Sequence, residues 1–390
     1  MTDADRRLDD PELLPRIGWT LAALAVYRLG TTLPLPGGHA RAFSALLAGP
    51  RGGALRWIDD FSGGGLASLS VLSLGVLPYL NALLVVRLFR GPRKPGRETR
   101  LLTLALAALQ AAGLTLLLAR PGRGFDALPA LTLTAGALFA AWLSEWISEN
   151  GLGNGVALLV LTGLAGRLPA SAWRLGALVR REQMSMASAL AILAALVAAL
   201  ASAVWLETAQ RTLSVQYAKR VVGRRMMGGN STALPLKVDQ HGVSAVIFAA
   251  SATAWILALW DPGPWAGGVV CAALLLLLTA ALGADSHDAE RLAEEMKRSG
   301  GFLPGVRAGE PTAERLRWQI RRLTPGGALL AAGIVALPGL LKGALGLPYF
   351  FDGTALLIAV GVALDTMGRV EARRMMRGYE SVLRRQGRRG

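Results

Sequence analysis

Histidine and cysteine are nearly absent from this chain, at three histidines and one cysteine in 390 residues. A single cysteine cannot close a disulfide within the chain, so no covalent staple holds the fold. The histidines His39, His241 and His287 lie far apart, and none stands at metal-ligand spacing from another. Neither HExxH nor GxSxG occurs, and no Gly-rich loop ends in GK[ST]. Zinc hydrolysis, serine nucleophile chemistry and phosphate-loop chemistry therefore lack their residues. The sequence does not read as an enzyme, and it calls for no cofactor and no metal. Charge is scarce as well. Charged residues make up 17% of the chain, against roughly 25% in a typical soluble domain.

Apolar residues take up that room, at 53% of the chain, and they cluster in runs. Residues 101–118, 186–206, 243–260 and 265–282 are long stretches with few or no charges. At ~1.5 Å rise per residue, about 20 helical residues cross a hydrocarbon layer of about 30 Å. The expected fold class is an all-α polytopic membrane protein. Cys271 lies within one such run and reads as a small buried hydrophobe. The first 16 residues carry charges of both signs, and the apolar run that follows has no small-residue cleavage site. That run is expected to be a retained span.

Ten transmembrane helices are predicted, over 17–34, 64–89, 101–119, 129–148, 154–168, 186–206, 243–260, 265–283, 325–341 and 353–367. Several are short or interrupted by Gly and Pro. Irregular backbone at membrane depth is tolerated where protein or a water-filled cavity shields it, which points to an internal pathway. The formal charge of +16 is mostly an orientation signal. Of the 42 Lys and Arg residues, 30 fall in the termini and the even-numbered loops, and ten in the odd-numbered loops. By the positive-inside rule, both termini are expected in the cytoplasm.

Two cytoplasmic loops, 207–242 and 284–324, are longer than simple connections and are expected to be functional. The second reads as an amphipathic helix over 289–298, a turn-rich stretch, and a basic helix over 312–322. The arginine-rich C-terminus suits contact with anionic lipids. A secondary solute or ion transporter is the alternative reading, and it needs ionisable groups near the midplane. Arg28, Arg87, Glu145 and Asp365 are the candidates, and all sit toward span ends, where snorkelling or a polar contact suffices.

Several motifs, taken in order, resemble the SecY family, the large subunit of a protein-conducting channel. Tyr27-Arg-Leu-Gly30 and Leu33-Pro-Leu-Pro-Gly37 close the first span. Phe61-Ser-Gly-Gly-Gly65 and Leu74-Gly-Val-Leu-Pro-Tyr79 are similar to the family's plug and second span. Trp142-Leu-Ser-Glu-Trp-Ile-Ser-Glu-Asn-Gly-Leu-Gly-Asn-Gly155 matches the entry to the fifth span. The densest match is Gln216-Tyr-Ala-Lys-Arg220, Gly223-Arg-Arg225, Ser231-Thr232 and Leu234-Pro-Leu-Lys-Val238. Gly300-Gly-Phe-Leu-Pro-Gly-Val-Arg307 and Gly353-Thr-Ala-Leu-Leu-Ile358 complete the set. Ala245, Ala308 and Asp352 depart from the family's usual Pro, Pro and Gly, as do the short links at 91–100 and 261–264.

The resemblance implies two inverted five-helix halves, 1–170 and 171–390, around a central pore with a lateral gate toward lipid. It implies an aliphatic pore ring of Val76, Leu80, Val156, Val160, Ile247 and Ile358. A plug over 61–69 would hinge at Gly63, Gly64 and Gly65. Arg224, Arg225 and Arg307 would dock a motor or ribosome. The implied partners are SecE-like and SecG-like small subunits, a SecA-type motor ATPase, the ribosome, and preproteins bearing signal sequences. The implied function is a passive polypeptide channel in the cell membrane.

Overall fold

The computed structural model describes residues 13–36, 69–90, 95–118, 126–166, 168–182, 184–217, 220–222, 225–227, 231–238, 242–259, 266–283, 287–307, 309–345 and 353–387. Helices dominate. They are α1 (Leu13–Thr32), α2 (Leu77–Arg90), α3 (Arg97–Leu118), α4 (Ala127–Asn150), α5 (Gly155–Ala165), α6 (Leu168–Arg180) and α7 (Met186–Thr208). After a stretch of strands come α8 (Gly242–Leu259), α9 (Ala266–Gly283), α10 (His287–Ser299), α11 (Glu310–Leu345) and α12 (Gly353–Gly387).

Within α3, α4, α7, α11 and α12, five helical stretches are long and apolar enough to cross a membrane. Shorter apolar helices lie at Gly155–Ala165, Ser244–Thr253 and Val269–Ala280. Several of these stretches expose apolar side chains. Most of α7 is not buried by the rest of the protein, and Leu190, Leu193, Val197 and Leu200 along it face outward. Several hydroxyls inside the bundle bond back along their own helices. Thr103 Oγ1 donates to the Thr99 carbonyl at 2.7 Å, and Thr253 Oγ1 to that of Ala249 at 2.7 Å. This keeps polar groups satisfied where water is absent.

Local chemistry sets the helix boundaries. Asp126 caps α4 by accepting from Leu128 N at 3.2 Å, and Ser185 caps α7 by accepting from Ser188 N at 3.1 Å. Each carboxylate or hydroxyl satisfies an amide that the first turn would leave bare. Two apolar cores fill the bundle. The larger draws on α1, α2, α4, α5, α7, α8, α9, α11 and α12. The smaller holds Leu35, Leu69 and Leu74 against α3 and α4.

A third core lies apart from these, in the segment between α7 and α11. Strand β1 (Gln210–Tyr217) pairs antiparallel with β4 (Ser231–Lys237), from Gln210↔Lys237 to Gln216↔Ser231. Strand β5 (Gly301–Phe302) adds to the other edge of β1, while β2 (Arg220–Val222) and β3 (Arg225–Met227) form a separate hairpin. Val215 and Leu236 of the sheet pack on Ala289, Ala293 and Met296 of α10, together with Ala313 and Leu316 of α11. The alternation along β1 and the i, i+4, i+7 spacing along α10 each put an apolar stripe on one face.

This sheet corrects the all-α expectation, because the 207–242 loop is largely extended. Leu213, Val215 and Tyr217 alternate along β1, and β-branched and aromatic residues such as Val215 and Tyr217 favour a pleated strand. Two further differences concern length. The basic helix expected at 312–322 and the span expected at 325–341 form one continuous helix, α11. Pro325 and Pro338 lie inside it, where each removes one backbone donor without ending the helix. The last span likewise runs on through Gly387. Helix α6 lies between the spans expected at 154–168 and 186–206.

Candidate functional site

Val76 reaches the centre of the bundle through an irregular stretch that leans on the end of α1. Leu35 N donates to the Leu69 carbonyl at 2.7 Å, and Val71 N to that of Leu33 at 3.0 Å. Pro34 and Ser70 form a bridge between them. Gly136 of α4 admits the Val71 carbonyl where a Cβ would collide with it. The turn closes with Gly75 N donating to the Leu72 carbonyl at 2.8 Å, at a φ of +51° that glycine adopts without strain. Helix α2 then starts, with Leu80 one turn beyond Val76.

Helix α5 presents a second pair. Gly153, at φ +89°, reverses the chain after α4. Asn154 then caps the new helix, its Oδ1 accepting from Val156 N at 3.1 Å. Val156 and Val160 follow one turn apart, on one face. Ile247 comes from α8 and Ile358 from α12. All six side chains are between 0 and 9% exposed, and all belong to the same buried cluster. Helix α8 packs on α2, α5 and α12, and α5 on α12, so α8 joins all four carriers. Six aliphatic groups can neither move a proton nor ligate an ion. What they can do together is exclude water. Asn81, next to Leu80, is buried beside them, and its Nδ2 meets no partner among the described residues.

The other residues singled out from the sequence are dispersed. Arg307 is exposed at the end of the turn after β5, and its carbonyl accepts from Thr312 Oγ1 at 2.8 Å. Arg225 pairs with Val222 at the closed end of the β2–β3 hairpin. Arg224, the plug glycines Gly63, Gly64 and Gly65, and residues 61–68 of the plug lie outside the described residues.

The ionisable groups considered for a solute carrier have structural employment. Glu145 accepts from Tyr79 Oη at 3.1 Å and from the Arg100 guanidinium at 2.9 Å. Asp365 pairs with Arg369 one turn on, at 3.0 Å. The Arg87 guanidinium sits 6.0 Å from the centroid of the Phe248 ring, tying α2 to α8. The guanidinium of Arg28 fills the space above Gly166. The Tyr79–Glu145–Arg100 network was not legible in the sequence, because its two bonds join three helices across 66 and 45 positions. The Glu145 signal lay only in being a carboxylate inside an apolar run.

Known proteins share this architecture. The SecY family model matches residues 70–367. The protein translocase subunit SecY of Streptomyces scabiei is 33% identical, over 98% of this chain and 100% of its own length. That of Corynebacterium glutamicum is 35% identical, over 96% and 98%. That of Thermus thermophilus is 33% identical, over 97% and 96%. Among solved structures, a protein-conducting channel superposes with a TM-score of 0.67 at 14% identity, covering 94% of both chains. A second channel, a SecY protein studied for its plug domain, superposes with a TM-score of 0.65 at 15% identity.

Proposed function

Because the chain belongs to the SecY family and is a membrane-embedded, protein-conducting channel subunit, we propose that a polypeptide threads between Val76, Leu80, Val156, Val160, Ile247 and Ile358. These six form an aliphatic ring at the waist of a ten-span bundle built from two inverted halves, 1–170 and 171–390. One observation carries the reading. Side chains from four separate helices, two in each half, meet in a single buried cluster that contains all six. An empty aliphatic constriction dewets and blocks ions, while its flexible side chains part around a passing chain.

The plug over 61–69, hinged at Gly63, Gly64 and Gly65, covers the ring from outside. The lateral gate opens between α2–α3 and α8–α9, and a signal sequence partitions through it into lipid. Both termini lie in the cytoplasm. The sheet, α10 and the start of α11 then form the cytoplasmic docking face. There Arg224, Arg225 and Arg307 meet a SecA-type motor or the ribosome, pairing carboxylates or phosphates through their planar forks. SecE-like and SecG-like subunits complete the complex, and anionic lipids contact the arginine-rich end of α12.

Reconstitution with the small subunits, a motor ATPase and a signal-bearing preprotein tests this function. Protease-protected preprotein should accumulate inside the vesicles in an ATP-dependent manner. Uptake of a small solute with no protected preprotein would instead make the protein a carrier.

A further inference from the structure

A cavity of about 350 Å³ opens where α3 begins and α4 ends. Its walls include Tyr79, Arg100, Trp142, Glu145, Trp146 and Glu149. Arg100 stands in the first turn of α3, and Glu149 is one residue from the end of α4. The cavity therefore lies at the depth where both helices leave the apolar layer. Positions 142, 145, 146 and 149 share one face of α4 by their i, i+3, i+4, i+7 spacing. That face alternates indole and carboxylate.

The walls are held in place. The Trp146 ring stands edge-on to Trp19, at 5.7 Å between centroids and 87° between planes. Glu145 is fixed by Tyr79 and Arg100, as described above. The mouth is open from the side. Trp142 is 55% exposed, and the Arg100 side chain 69%. Two carboxylates and one guanidinium leave the lining with a formal charge of −1. Indole faces beside carboxylates suit a cation, while the exposed fork of Arg100 suits a phosphate. The volume falls within the ~300–1,000 Å³ of small-molecule sites.

We propose that this cavity binds the headgroup of an ethanolamine phospholipid. The ammonium sits between Trp142, Trp146 and Glu149, and the phosphate sits on Arg100. An ethanolamine phosphate joins a cation and an anion through two carbons, and the wall offers both carboxylates and a guanidinium. A primary ammonium donates N–H bonds to the carboxylates, whereas a quaternary choline cannot. A glycerol headgroup brings no cation and leaves Glu149 facing an anion. The inference goes beyond the channel function and depends only on the depth of the α3–α4 ends in the membrane.

Native mass spectrometry of the complex with its small subunits tests it. The probes are palmitoyl-oleoyl phosphatidylethanolamine, phosphatidylcholine and phosphatidylglycerol at equal mole fraction. The ethanolamine lipid should be retained at least about fivefold over either competitor. Glu149→Gln and Trp142→Leu, both at exposed positions, should each cut that preference about three- to tenfold. Unchanged thermal midpoints would assign the loss to binding rather than to folding. Equal retention of the three lipids overturns the proposal, as does a preference that survives both substitutions. It also fails if the isolated chain shows the preference and the complex does not, because a partner helix then fills the cavity. Preprotein transport by the same preparations reports separately on the channel.

Discussion

Ile247→Asn is expected to raise the ion conductance of the resting channel about ten- to a hundredfold in planar bilayers. Ile247 is 3% exposed and belongs to the cluster of all six ring residues. An asparagine amide buried there without a partner costs ~1–3 kcal/mol. Admitting water recovers that free energy, so the balance between dry and wet constriction shifts by a similar amount. Each ~1.4 kcal/mol is a factor of ten in the wet population. Leu133→Asn is a control in the other apolar core, where Leu133 is also fully buried. It should lower stability and leave the conductance of the folded protein near its original level. Unchanged conductance in Ile247→Asn would remove Ile247 from the seal.

The second large effect concerns how α5 reaches the cluster. Gly155 opens this helix directly against α4, with its N–H donating to Ser148 Oγ at 2.9 Å. A Cβ at this position would run into the backbone carbonyl of Ser144, which cannot swing away as a side chain can. Gly155→Leu should therefore destabilise the protein by about 3 kcal/mol, the upper end for overpacking. It should also displace Val156 and Val160, which follow on the same helix. Gly113→Ala, inside α3, makes the opposite prediction. Nothing lies within 4 Å of the added carbon, so helix propensity alone acts and stability rises by about 0.5–1 kcal/mol. Thermal unfolding in detergent, followed by tryptophan fluorescence, separates the two. Equal behaviour of the two variants would contradict the packing assigned to Gly155.

Hydrophobic runs made the membrane helices readable, and the starts of several agree closely. The span expected from 186 is α7, Met186–Thr208, and that expected from 353 is α12, Gly353–Gly387. Helix ends were less legible, because a membrane span that continues into water loses its apolar signal before its hydrogen bonds. The charged half of α12 and the basic start of α11 show this. The sheet escaped for a related reason. Strand β1 has only half of one face buried, against α10 some 70 positions later, and such a partner leaves no local trace. In the site, the aliphatic residues carry no chemical signature of their own. Only the ordered motifs around them singled out Val76 or Ile358 among dozens of similar side chains. The cavity at the α3–α4 ends is the opposite case. Its Trp and Glu residues stand in one sequence motif, Trp142 to Gly155, but the bond to Arg100 and the cavity itself appear only in three dimensions.

Crosslinking of a stalled translocation intermediate addresses the ring most directly. With Cys271 replaced by alanine, single cysteines at Val76, Val160 and Ile247 should crosslink to a cysteine placed in the arrested preprotein. Cysteines at Ala107 and Leu133, equally buried but in the smaller core, should not. Crosslinks from all five positions, or from none of the first three, would mean that the chain travels elsewhere.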